Sequence, residues 1–140
     1  MTAADLTTGP AAGARTWTIT LPAGLQVMNA NKRIHHMQRV KLTRTLREAG
    51  KAAAEAAQIP QLARAHVFGV FSPPDRRRRD VGNLYPSFKA MIDGLVDAGV
   101  LPDDDDRHLV GPDMRIGPVV KGGQLQLLVI ELPAPEAVDQ

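Results

Sequence analysis

At 140 residues with 44% apolar side chains, the chain is long enough for one domain with a real core and too short for two comfortable ones. A charged share of 23% and a net charge of +2 exclude a disordered polyion. The absence of cysteine excludes a disulfide framework, a thiol nucleophile, an iron–sulfur cluster and every thiolate zinc site. No stretch approaches the ~18 apolar residues of a membrane span, and the first residues lack the pattern of a secretory signal, so the expectation is a soluble, cytoplasmic protein with no membrane partner.

In chain order, residues 1–14 are small and polar and read as a flexible segment, as do residues 133–140, leaving a single domain over 15–132. Thr16 to Leu21 alternates β-branched and larger residues and predicts a first strand ended by Pro22. A loop follows through Asn29-Ala30-Asn31. Met37 to Gln58 predicts a helix whose core stripe is Leu42, Leu46, Ala49, Ala53 and Ala56, with Lys41, Arg44, Arg47 and Lys51 on its other side. His66 to Phe71, bounded by Pro73-Pro74, predicts a strand in the middle of a sheet. A second helix is predicted from near Pro86 to Ala98, with Phe88, Ile92, Leu95 and Val96 facing the core and Gly99 as its left-handed cap. Asp103 to Asp106 reads as a loop, Lys121-Gly122-Gly123 as a hairpin turn, and Gln124 to Leu132 as a strand with Leu125, Leu127 and Val129 on one face. The fold class is therefore α/β (α+β): one mixed β-sheet packed against two main helices.

The modest net charge hides two strong local fields. Between Lys32 and Lys51 seven basic residues face one acid, a local +6, and between Asp93 and Asp113 seven aspartates face one arginine, a local −6. Cations that hold phosphates, followed by clustered carboxylates, suit a polyanionic substrate cleaved with a divalent metal. Each piece also has a plainer reading. The four arginines Arg76 to Arg79 make a solvated loop as readily as an anion site, Lys89 and Asp93 make an ordinary helix-surface ion pair, and Asp93 and Asp97 suit a solvent-facing or structural role. Asn83 suits a turn or cap. The aspartate run lacks the ligand spacing of an EF-hand, no histidine cluster suits zinc, and no glycine-rich phosphate loop appears, so no nucleotide cofactor is expected.

Arg78-Arg79-Asp80-Val81-Gly82-Asn83-Leu84, then Lys89, then Ile92-Asp93-Gly94-Leu95-Val96-Asp97-Ala98-Gly99-Val100-Leu101-Pro102-Asp103-Asp104, resembles the signature of the RusA family of Holliday-junction resolvases. Lys121-Gly122-Gly123 with the final strand, and Ile19 to Pro22 in the first, extend the resemblance over most of Thr16 to Glu131. It implies a homodimeric, magnesium-dependent endodeoxyribonuclease acting on DNA four-way junctions in recombination and repair, cytoplasmic and bacterial or phage-encoded. Residue by residue, it implies Asp80, Asp104 and Lys89 as catalytic and Asp80 and Asp104 as metal ligands, with Asp103 the favoured helper. Arg79 matches a residue that holds DNA backbone. Arg76, Arg77, Arg78, Asn83, Arg44, Arg47, Lys51 and Lys121 are the further DNA-binding candidates.

One position departs from the pattern. The family's middle carboxylate, two residues after the first, falls on Gly82, which has no side chain to ligate with. Residues 80 and 82 of an extended segment face the same side, so the loss is beside Asp80. Asp103, Asp105 or Asp75 would replace it, or Asn83 through its amide oxygen. Otherwise the protein is a junction-binding protein with a degenerate catalytic site.

Overall fold

The computed structural model describes residues 13–135. Most of the two expected flexible ends, residues 1–12 and 136–140, lies outside the described residues. Strand β1 (Thr16–Thr20) leads through a long loop to helix α1 (His36–Ala56) and then to β2 (Arg64–Ser72). A 3-10 turn, Val81–Leu84, runs into helix α2 (Tyr85–Asp97), which is followed by β3 (Leu109–Ile116) and β4 (Gln124–Leu132). The sheet order is β1-β4-β2-β3. β4 is antiparallel to both β1 and β2, and β3 runs parallel to β2. The expected mixed sheet with two helices is what the chain forms, and β2 occupies the interior position that its apolar run predicts.

Two local expectations are corrected. The sequence reading has no strand over 109–116, because Gly111-Pro112 in mid-run looks like a turn and half of the segment is polar. β3 lies at the sheet edge, where a proline without an N–H is tolerated and one side chain in two meets solvent. The Lys121-Gly122-Gly123 turn is real, with both glycines at positive φ, but it closes no hairpin. The strand before it, β3, pairs with β2 and not with β4.

The main core fills the space between the helices and one sheet face, with Ile19, Val67, Leu127 and Val129 against Leu46, Phe88, Met91, Ile92 and Leu95. A smaller cluster, Phe68, Leu128 and Ile130, lies apart from it, with Ala14 packed on it. On α1 the fully buried residues are Leu46, Gly50 and Ala54, while Leu42, Ala49 and Ala53 are half-buried and Ala56 is exposed, so the stripe sits about one position round from the expected one. Glycine makes the difference. A Cβ at Gly50 would stand 2.8 Å from the carbonyl oxygen of Met91, and one at Gly94 would stand 2.4 Å from that of Arg47. The two helices thus cross backbone to backbone. Likewise a Cβ at Gly69 would meet the Phe88 ring at 2.6 Å, which seats α2 directly on β2.

Helix propensity alone would make Gly94→Ala stabilising by up to ~1 kcal/mol. The clash with α1 backbone, which cannot rotate away, reverses the sign. The substitution is expected to destabilise by ~1–3 kcal/mol, read as a lowered urea midpoint with an unchanged slope. A raised midpoint would show that the helices do not cross this closely.

Candidate functional site

The site is assembled from three segments that converge around the start and middle of α2. The first is the loop between β1 and α1. The N–H of Met28 donates to Ser87 Oγ at 2.7 Å, and the Ser87 hydroxyl donates back to the Met28 carbonyl at 2.9 Å. Ser87 is fully buried, so this reciprocal pair satisfies groups that would otherwise be costly to desolvate. The N–H of Ala30 donates to the Asn83 carbonyl at 2.8 Å, and that of Gly24 to the Gly123 carbonyl at 2.9 Å. The loop is therefore held at both ends against the 3-10 turn and the glycine turn.

The second segment is the arginine loop and the 3-10 turn. Asp80 caps the turn, its Oδ1 accepting the N–H of Gly82 at 3.0 Å. Arg79 is half-buried and spends its guanidinium on the loop itself, reaching Asp75 Oδ1 at 2.9 Å and donating to the Asp75 carbonyl at 3.0 Å. The hydrogen bond from Arg79 holds the Asp75 carboxyl down at about 2. Arg77 also donates to Asp75, at 3.3 Å from Nε, whereas Arg76 and Arg78 are exposed. Between these two segments runs an open groove of about 560 Å³. Arg77, Arg78, Arg79, Asp80 and Asn83 line one side, Gln26, Asn29 and Lys32 the other, over a floor that includes Val27, Phe71 and Leu84.

The third segment is the middle of α2 with the acidic loop. Lys89 donates to Asp93 Oδ1 at 2.6 Å and also to Asp104 Oδ2, fifteen residues along the chain. Partial burial works against the charged ammonium, but its bonds to Asp104 and Asp93 outweigh this and raise the Lys89 pKa. The bond from Lys89 correspondingly holds the Asp104 carboxyl below the ordinary aspartate range.

Lys89 and Asp104, paired only by resemblance in the sequence, are thus in contact. Asp80 stands with the arginines in the groove. The expected metal set of Asp80, Asp104 and Asp103 does not gather. Among the described residues, no group of three His, Cys, Asp or Glu could hold a metal ion. Asp103 Oδ1 accepts the N–H of Asp104 at 2.8 Å, and Asp105 Oδ1 that of Arg107 at 3.0 Å. Asp75 is committed to Arg79 and Arg77. None is placed as a substitute for the missing carboxylate, so the implied magnesium does not fit a preformed three-carboxylate centre. Position 82 is where one would belong, since a Cβ there would lie 3.2 Å from Asp80 Oδ1.

The basic face of α1 is also redrawn. Arg47, an expected DNA ligand, grips Asp97 of α2 in a bidentate pair at 2.6 and 2.8 Å, and Lys51 lies 3.9 Å from Glu55. Arg44 remains exposed, as does Lys121 beside the groove-lining Gly122. The sequence reading missed Gln26, Asn29, Lys32 and Ser87. The only signal was an uncharacterised loop carrying amides and a lysine.

An α+β domain that presents a cationic groove next to a lysine–aspartate cluster belongs, by its chemistry, with proteins that handle phosphate-rich polymers. A 59-residue stretch of the chain is 44% identical to the crossover junction endodeoxyribonuclease RusA of Escherichia coli K12, and equally to that of Enterobacteria phage 82. The match covers 42% of this chain and 45% of each relative, so the chain matches less than half the length of these proteins. The chain thus contains a RusA-like segment. No protein-family model matches it. A solved thiamine-monophosphate kinase from Stenotrophomonas maltophilia aligns with 87% of this chain and 32% of its own, at 14% identity and a TM-score of 0.32, too weak a likeness to define a shared fold. Among the described residues, no helix is long and apolar enough to cross a membrane.

Because the folded pKa of Asp104 is lowered, its contribution to stability is present above the unfolded value of ~3.9 and is lost as pH falls through the folded value. Lys89→Met removes the cause. The Asp104 titration, followed by carboxyl NMR, is expected to move up into or above the ordinary range in that variant. An unmoved midpoint would mean that Lys89 and Asp104 are not paired in solution.

Proposed function

We propose that this protein is a structure-selective endodeoxyribonuclease that acts on DNA four-way junctions, works as a homodimer and requires magnesium. The observation that carries the reading is the contact of Lys89 with Asp104. Two separate elements of the RusA-like signature meet through space, beside a groove walled by its Arg78, Arg79, Asp80 and Asn83. A two-fold symmetric dimer suits a two-fold substrate.

In this reading the chain's own residues divide the work. Exposed Arg76 and Arg78, with Lys32 and Lys121, take backbone phosphates, which fix register without reading sequence. Arg79 and Arg77 shape the loop through Asp75. Lys89, held charged by two carboxylates, stands ready to offset charge that develops on the scissile phosphate. Asp80 and Asp104 are the carboxylates of the reaction. No route through a bound metal is drawn, because the described carboxylates do not form a ready centre.

A second reading is favoured by that same observation. With glycine at position 82 and no three-acid group, a protein that grips junctions and cuts them poorly or not at all fits the geometry. The two are separated by a labelled four-way junction and its linear duplex control, at matched salt because phosphate contacts make affinity salt-dependent, with magnesium or with EDTA. Paired nicks in the junction alone, only with magnesium, and a loss of about 100-fold or more in Asp104→Asn with binding retained, are expected. A shifted but uncut junction favours the binding protein. Equal affinity for junction and duplex overturns both.

A further inference from the structure

The groove holds more than a phosphate site requires. A backbone-only contact surface needs cations and little else, whereas here two side-chain amides, Gln26 and Asn29, stand on the wall facing Arg77 to Asp80. Val27, Phe71, Pro74 and Leu84 add apolar surface to the same groove. Cations on one side, apolar surface at the base and amides on the other side match the three parts of a nucleotide: phosphate, base face and base edge. A volume of about 560 Å³ lies within the ~300–1,000 Å³ of pockets that take small molecules.

The amides are also held in position. Asn29 accepts the N–H of Asn31 on its Oδ1 at 2.8 Å, and its backbone carbonyl accepts the N–H of Lys32 at 3.1 Å. Its NH2 group remains as a donor. Met28, between the two amide residues, is buried and anchored in both backbone directions to the buried Ser87. The loop is therefore not a loose strap. Its side chains meet the groove from a fixed backbone, the condition under which a hydrogen bond discriminates between partners instead of adapting to each.

We propose that Gln26 and Asn29 are specificity-determining residues that read the edge of one nucleobase in the strand whose backbone lies along Arg77 to Arg79. A carboxamide presents a donor and an acceptor side by side, so it pairs with a base edge that offers the complementary pair and leaves an unpaired polar group against any other. The inference rests on the junction-nuclease reading of the same site and adds to it a sequence preference set by the β1–α1 loop.

The test uses the full chain and a set of four-way junctions that differ only in the nucleotides at the point of strand exchange, with binding and magnesium-dependent nicking measured on each. Wild-type protein is expected to prefer one base at one position by about tenfold in nicking, or in affinity if it binds without cutting. Gln26→Ala is expected to flatten that preference. Asn29→Asp keeps the acceptor that Asn31 uses and removes only the NH2 donor, so it is expected to change the preference without loosening the loop. Mean junction affinity should stay within about threefold in both, because the phosphate contacts remain. A wild-type protein indifferent to sequence, or variants that keep the wild-type preference, overturn the assignment while leaving the junction reading intact. Failure of the wild type to select junctions over duplex overturns the parent reading and this one with it.

Discussion

The backbone-to-backbone crossing of α1 and α2 at Gly50 and Gly94 governs the rest of the molecule. With no side chain between them at that point, α2 lies deep against α1, and Phe88 can fill the space over Gly69 on the sheet. Each part of the candidate site is then attached to α2. Ser87 in its first turn anchors the β1–α1 loop through Met28, Lys89 projects from its middle, and the chain beyond its end returns to the core through Val100 and Leu101 before reaching Asp104. A displaced α2 would move the groove wall, the lysine and the acidic loop relative to one another.

The two opposed charge fields of the sequence meet along the same seam. Arg47 on α1 closes on Asp97 of α2, and Lys89 on α2 closes on Asp93 and Asp104. Part of each field is thus neutralised inside the molecule. The basic helix face is less of a DNA surface than its +6 suggests, and the acidic stretch less of a metal cage than its −6 suggests. The charge left for a polyanion shifts toward the groove and its neighbours, where Lys32 and Arg78 are exposed.

Periodicity made most of the fold legible. Both helices, the interior strand and the final strand have patterns that only one packing satisfies, and Phe88, Ile92 and Leu95 are buried as their spacing demands. β3 was hidden because an edge strand carries half its residues in water and accepts a proline, so its pattern is that of a loop. The Lys89 to Asp104 contact was legible through resemblance and not through spacing, since the fifteen intervening residues are folded back by α2 and its cap. The commitment of Arg47, Arg79 and Asp75 to internal ion pairs was not legible at all. Nothing in a charge count says whether a cation faces solvent or a carboxylate from another element. The loop holding Gln26 and Asn29 was missed for a related reason: its order comes from partners at positions 83, 87 and 123, which no local window contains.

The remaining chemical question centres on Gly82. It is exposed, its backbone carries no positive φ, and a side chain there would begin 3.2 Å from the Asp80 carboxylate, which is itself exposed and free to turn. The most direct measurement is therefore the magnesium-dependent nicking rate of Gly82→Asp on a four-way junction beside that of the wild type. If Asp80, Asp104 and Lys89 form a nuclease site short of one carboxylate, the variant nicks at least about tenfold faster with unchanged junction affinity. A rate no higher than wild type, with the junction still bound, contradicts that assignment.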